Sequence, residues 1–500
     1  MRSRKICVLL AVWILCAFSL TGCGQSQAED TEDFLGESIE DVQLFPMSPA
    51  GYVGDPMPFY DNGEFYIFYL LDQRTGSLGY HPWALYKTDN FYEYEDIGAV
   101  IPYGDSGTDQ DIALGTGSVI KDQNGLYHAF YTGHNDNFSP MEAVMHATSP
   151  DLLNWTKLPE DMLLAGGSYS QDDFRDPYVL YVAEENQYWM LVTPRSDNTG
   201  VIVRYTSQDL KTWKDAGIFF VNDMGSDSNM ECPSLLQYQG KWYLAFSDQW
   251  PNRVVHYRVS DSISGPFEIP AQDTVDGSGF YAGRLETDGE KLYVFGWNAT
   301  KEGHSDENEY SWAGSLVVHQ LKQTEDGSLV PVINESVKKG MTHELSLTPV
   351  RMTETVEMKK NTYSFKGEQY EVVEFKEAYG SYLFETTIRN FKDAERFGFA
   401  FHTDAEAVGG LNIVFNVADN QLAFYNTNKL YSEDPQSSID LDFGQLDALD
   451  VSMMISDGVV SVYVNDHCAV TARMYGSQGT SWGMFSINSA IVCENVQIHK

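Results

Sequence analysis

Short apolar runs alternate with turn signals along this chain, and one phrase of that alternation recurs. It reads NGEFYIFYL at 62–70, NGLYHAFYTG at 124–133, NQYWMLVTP at 186–194, GKWYLAFSD at 240–248 and EKLYVFGWN at 290–298. Each copy is a turn signal followed by aromatic and β-branched residues, the pattern of a strand entered from a tight turn. Three copies are followed by a second phrase, TDNFYEY at 88–94, SPDLLNW at 149–155 and SQDLKTW at 207–213. The copies stand about 50 to 62 residues apart, a period that fits propeller blades of several strands each. Five copies predict an all-β chain with a five-bladed β-propeller over residues 45–320 and little helix.

After 320 the repeat stops. Residues 321–350, which include QTEDGSLVPVINESVKKG, read as a polar connector. From 351 to 500 short alternating runs resume, among them YLFETTIRN, FGFAFHTD, VVSVYVND and SWGMFSIN. Their spacing predicts a C-terminal β-sandwich. At the other end Arg2, Arg4 and Lys5 precede an apolar run too short for a comfortable membrane span. That run ends in LTGC, Leu20–Cys23, which resembles a bacterial lipobox. Residues 1–23 are therefore read as a lipoprotein-type signal with Cys23 as the lipidated residue, and 24–44 as a polar tether. The expected location is extracytoplasmic, with membrane attachment through Cys23 only; an ordinary secreted protein is the alternative.

Composition narrows the partners. The 500 residues carry 72 Asp and Glu against 32 Lys and Arg, a net charge of −40. That charge repels nucleic acid and anionic membrane surfaces and leaves neutral or cationic partners, a neutral sugar among them. Of the six cysteines, Cys232, Cys468 and Cys493 remain beyond the signal and Cys23, too few for a disulfide framework. With no CxxC, no HExxH and scattered histidines, a His- or Cys-based metal site is not expected.

The chemistry starts at FRDPYVL, residues 174–180, where Arg175 and Asp176 stand at the mouth of a β-type run. Counting back from the central tyrosine of each repeat, Asp55 lies 11 residues before Tyr66, Asp176 lies 12 before Tyr188 and Glu231 lies 12 before Tyr243. Three acids thus occupy nearly equivalent places at the starts of innermost strands, where they would converge on one axial funnel. The second and fifth repeats have GTGS (115–118) and FYAG (280–283) there instead. Like charges held together raise one another's pKa. Carboxylates with split pKa values are the equipment of glycoside hydrolysis, one as acid and one as nucleophile or base. A third can face the oxocarbenium-like charge on the sugar, and Arg175 would keep Asp176 ionised for that task.

These residues also carry a family resemblance. RDP and Glu231-Cys232-Pro233 resemble the RDP and EC motifs of glycoside hydrolase family 32, the invertases, inulinases and levanases. The segment 276–297, DGSGFYAGRLETDGEKLYVFGW, and the stretch DIALGTGSVI are similar to further family segments. The resemblance implies Asp55 as nucleophile, Glu231 as acid/base and Asp176 as transition-state stabiliser, with retention and no cofactor or metal. It implies sugar contacts from Trp83, Thr116, Ser118, Tyr281 and Trp297, with Arg175 and Cys232 orienting the acids. The expected substrate is an oligo- or polysaccharide with β-fructofuranosidic bonds, such as sucrose, fructo-oligosaccharide or fructan. The nucleophile segment departs from the family pattern: YVGDPMPF has Gly54 and Met57 where the family has asparagines. Gly115 and Leu70 also replace its usual Phe and Gln. Three alternatives stay open: a fructosyltransferase with the same trio, a lipid-anchored glycan-binding protein without activity, and an arabinan- or xylan-directed five-bladed glycosidase.

Overall fold

A computed structural model describes residues 42–74, 80–249, 252–306, 308–376, 380–401, 411–426, 435–475 and 481–500. The signal, Cys23 and most of the tether lie outside the described residues. The rest is almost entirely antiparallel sheet, with one α-helix of six residues at Glu335–Gly340 among the described segments.

Each repeat found in the sequence forms a set of consecutive antiparallel strands. The repeat phrase forms the second strand and the acid-bearing segment the first. The five first strands are Tyr52–Asp61, Ala113–Lys121, Arg175–Val182, Met230–Tyr238 and Tyr281–Thr287. Each packs against the next, and the fifth packs back against the first. The first and last repeats also share one eight-stranded sheet, because Val53 pairs with Gly314 of the strand Tyr310–Gln323. That last sheet runs beyond residue 320: Leu329–Val332 pairs with Tyr310–Gln323. A connector beginning at 321 is therefore too early, because residues with a polar average still alternate well enough to add a strand.

One irregularity is common to all five first strands. Opposite the second strand, two residues face one between Gly54 and Met57, Leu114 and Gly117, Arg175 and Tyr178, Glu231 and Ser234, and Tyr281 and Arg284. These are β-bulges, which re-aim side chains and leave a residue unpaired. The first bulge residue has positive φ at Asp55 (39°), Asp176 (61°), Cys232 (53°) and Ala282 (54°). The second is proline at 56, 177 and 233, acceptable because that position donates no ladder hydrogen bond. The Asp-Pro and Cys-Pro pairs are thus bulge chemistry.

The C-terminal region holds two seven-stranded antiparallel sheets. Their facing sides meet through aromatic rings: Phe384 of one sheet lies 5.3 Å from Trp482 and 5.2 Å from Phe399 of the other. Cys468 and Cys493 are buried free thiols there. The two regions are joined by buried polar groups. Asp276 accepts from the Thr471 amide (2.8 Å) and hydroxyl (2.5 Å) and lies 3.0 Å from His319 Nε2, whose ring meets Tyr463 through Nδ1. Arg473 donates to the carbonyls of Asn298 and Ala299 and to Ser315. The Asp276 carboxylate and the Asn298 and Ala299 main-chain carbonyls are thereby matched to donors, as burial requires.

Candidate active site

The bulges explain which side chains meet. Asp55 and Asp176 are first bulge residues, in register with Gly115, Cys232 and Ala282. Glu231 stands one place earlier, in register with Gly54, Leu114, Arg175 and Tyr281. The tyrosine count had made the three acids equivalent to within a residue; the structure makes two equivalent and sets the third one residue back, with a side chain one methylene longer. All three line a cavity of about 520 Å³, together with Thr116, Arg175, Cys232 and Tyr281.

Asp55 accepts hydrogen bonds at both carboxylate oxygens, from Trp297 Nε1 (2.9 Å) and Thr116 Oγ1 (2.9 Å). Burial first, and the charge of Asp176 next, push its carboxyl up to about 7 against those two donors. Asp176 accepts from the Cys232 amide at 2.8 Å, and its own amide donates to Thr132. Glu231 collects three donors: Arg175 Nη2 (3.2 Å), Gln249 Nε2 (3.1 Å) and the Tyr281 hydroxyl.

Arg175 bonds to one of the acids, in keeping with an orienting role, but not to its neighbour Asp176. Its hydrogen bonds go to Glu231, Asp173 (2.6 Å) and Glu142 (3.4 Å). It acts on Asp176 by charge alone, and burial outweighs it, so the Asp176 carboxyl sits above the usual carboxylate range. The effect of Arg175 on Asp176 has the expected sign, since its charge favours the carboxylate, but burial exceeds it. Arg175 is the strongest charge acting on Asp176, but burial of the whole carboxylate is stronger still, and Glu231 opposes the guanidinium.

Two expected sugar contacts stand elsewhere. Trp83 is fully buried, packs between Phe68 and Tyr131, and donates from Nε1 to the Gly115 carbonyl at 2.9 Å. It braces the strand behind the cavity. Ser118 accepts from the Val179 amide at 2.9 Å and ties two first strands together. Trp297 meets Asp55 by its indole N–H, and Cys232 contributes its amide, with a buried thiol raised well above its ordinary range by burial.

The sequence reading missed His81, Thr132, His134, Glu142, Gln249 and Trp312 on the cavity wall. None carries a local motif. Trp312 accounts for Gly54: a Cβ on Gly54 would stand 2.3 Å from Trp312 Cη2. Trp312 also faces His81 at 4.6 Å between ring centroids. Met57 turns into the core, 1 % exposed, where its sulfur accepts from the Gly117 amide at 3.0 Å. Of the two departures in YVGDPMPF, the glycine makes room for an indole wall and the methionine is a packing residue.

The family model for the glycosyl hydrolases family 32 N-terminal domain matches residues 46–331. Sucrose-6-phosphate hydrolase of Escherichia coli is 25% identical over 452 residues, covering 85% of this chain and 87% of that protein. The levanbiose-producing levanase of Geobacillus stearothermophilus is 27% identical over 215 residues, 39% of this chain and 49% of its own length. Among solved structures, exo-inulinase from Aspergillus awamori superposes with a TM-score of 0.72 at 17% identity, covering 93% of this chain and 98% of the inulinase. Sucrose-6-phosphate hydrolase from Lactobacillus gasseri superposes at 0.70 with 19% identity, covering 92% of each chain. The matched segment contains all three acids, their bulges and the cavity they line, and the chain accordingly belongs to glycoside hydrolase family 32, a family of glycosidases.

Proposed function

We propose that this glycosidase cleaves β-fructofuranosidic bonds with retention, on a five-bladed propeller braced by a C-terminal sandwich. The observation that carries the reading is the convergence of Asp55, Asp176 and Glu231 on one cavity from three bulged strands. The substrate class rests on the curated relatives, which are named for sucrose 6-phosphate, levan and fructofuranoside chemistry. The ring of packed first strands and the paired first and last repeats support the propeller reading.

In this mechanism Glu231 gives its proton to the glycosidic oxygen as the bond to the anomeric carbon breaks. Asp55 attacks that carbon from the other face and forms the glycosyl ester. Water then enters, Glu231 takes its proton, and the ester opens to free sugar and carboxylate. Asp176 faces the positive charge that develops on the sugar ring. The Trp297 and Thr116 donors fix the plane of the Asp55 carboxylate, and Tyr281, Gln249 and Arg175 fix that of Glu231. Retention places the Asp55 and Glu231 carboxyl groups about 5–5.5 Å apart when substrate is bound. Cys23 is proposed to carry the lipid that holds the enzyme at the outer face of the membrane, with 24–44 as tether.

The test is a product analysis on sucrose, inulin, levan and arabinan with wild type and two variants. Asp55→Ala and Glu231→Ala should each lower turnover on the cleaved substrate by about 10³-fold or more while remaining folded. Near-normal turnover in either variant, or release of arabinose rather than fructose, defeats the proposal.

A further inference from the structure

A further charged side chain that no motif announced acts on Asp176 from outside the cavity lining. Arg284 closes the bulge on the strand Tyr281–Thr287 and is 1 % exposed. None of its three guanidinium nitrogens has a hydrogen-bond partner among the described residues. Arg175 by contrast spends its guanidinium on Glu231, Asp173 and Glu142. The Arg284 guanidinium lies over the ring of Tyr178, 5.9 Å from its centroid. Tyr178 belongs to the strand Arg175–Val182 and follows Asp176 by two residues. The side chain therefore reaches from the fifth repeat toward the third. The intervening strand Met230–Tyr238 is fastened on both sides, by Leu285 N–H to Ser234 Oγ (3.0 Å) and by Cys232 N–H to Asp176 (2.8 Å).

We propose that Arg284 is a positioning residue: a buried positive charge, uncommitted to any ion pair, that offsets the mutual repulsion of the three acids and keeps Asp176 available as a carboxylate. A buried lone charge is costly, and a fold keeps one where the field it produces is used. In a low-dielectric interior that field acts over several ångströms without contact. The groups that share the cavity with Asp176 are Asp55 on Tyr52–Asp61, Arg175 on its own strand, Glu231 and Cys232 on Met230–Tyr238, Tyr281 on Tyr281–Thr287, and Thr132 and His134 on Tyr127–His134; Arg284, outside that lining, acts on Asp176 by charge. Glu142 faces Arg175, and Tyr178 and Glu286 stand on the Arg284 side. Acids outnumber cations in this set, so the loss of one cation is felt most by a buried carboxyl. The direction of the Asp176 and Cys232 shifts agrees, since Arg284 lowers both against burial.

The inference rests on the proposed role of Asp176, and the test separates the two. Initial rates on sucrose are measured from pH 4 to pH 9 for wild type, Arg284→Met, Arg284→Lys and Asp176→Asn. The acid limb of kcat/KM carries both Asp55 and Asp176, which must each be ionised; in Arg284→Met it should steepen and move up by about one pH unit, a tenfold loss at acid pH. The profiles should converge at high pH, where Asp176 ionises unaided. Arg284→Lys should restore the wild-type limb. Arg284→Met should melt at or above the wild-type temperature, because a buried unpaired charge has been removed. Should the Met variant not fold, Arg284→Gln replaces it in the same profile. A profile that superimposes on wild type, or a Lys variant as shifted as the Met variant, overturns the role of Arg284 while Asp176→Asn remains inactive. Near-normal activity in Asp176→Asn instead overturns the reading of Asp176 itself.

Discussion

The repeat region and the C-terminal sheets are built from the same strands and turns, yet they place strain and charge differently. In the C-terminal region positive φ falls mostly on turn residues, Asn420, Asp457, Asn465, Asp466 and Asn488, with Asn495 in one bulge. Asn and Asp tolerate that conformation locally, so it needs no support from elsewhere. The repeat region has such turns too, at Asn62, Asn186, Asn198 and Gln239, but it also places positive φ inside strands, on Asp55, Asp176, Cys232 and Ala282. There the surrounding sheet must hold it, and two of the four residues are acids on the cavity wall. Strain placed within a strand marks the working face, whereas strain at a turn only reverses the chain. Charge follows the same division. The core between the C-terminal sheets is aliphatic and aromatic, while the repeat region gathers Asp55, Asp176, Glu231 and Arg175 on one cavity and buries Arg284 outside its lining.

The contrast can be broken at its seam. Asp276 is buried between the regions and serves no cavity. Asp276→Ala leaves two Thr471 donors, the Gly277 amide and His319 without their acceptor. It should cost on the order of 3–5 kcal/mol in denaturant unfolding, with the activity of the remaining folded protein unchanged. A comparable loss of turnover per folded molecule would mean that the seam shapes the cavity. A smaller effect is expected at Gly54. Gly54→Asn should cost about 1–3 kcal/mol through overlap with Trp312, and adding Trp312→Ala should recover most of it. Equal loss in single and double variants would remove Trp312 as the reason for the glycine.

Asp55 tests the charge side of the comparison. Its folded pKa of about 7 lies above the usual 3.8. The folded chain therefore holds a proton there that the unfolded chain has lost. The stability this contributes is complete below about pH 4 and is lost as the pH rises through about 7. Asp55→Asn cannot lose it. The variant should gain about 2 kcal/mol on wild type between pH 4 and pH 8, a discounted figure because the carboxyl opens on the cavity. Parallel pH curves for the two proteins would refute the buried-acid account. Smallest of all is Arg389, whose surface pair with Glu494 (2.8 Å) joins neighbouring C-terminal strands with both side chains well exposed. Arg389→Ala should change stability by no more than about 0.5 kcal/mol.

Much of this was written locally. Turn signals and aromatic runs marked all five repeats, because hairpin turns and pleated strands have short-range requirements. Asp-Pro, Asp-Pro and Cys-Pro stood at strand starts in the sequence, and the structure shows each to be a bulge, where an unpaired strand position accepts proline. The three acids were found by counting along these elements, and the count erred by one residue at Asp176, because Tyr188 lies one residue farther from its bulge than Tyr66 and Tyr243 do from theirs. Other features had no local trace. Trp312 fills the space beside Gly54 from more than two hundred residues away in the chain, and Arg284 reaches Tyr178 of another sheet. Trp83 looked like a sugar contact and proved to be a buried brace, since which face of a strand meets the cavity is decided by packing between sheets. The sequence by itself determined the strands, their bulges and the acids they carry. Only the tertiary structure decided which partners surround each acid, because burial, clash and charge act between segments that the chain order keeps apart.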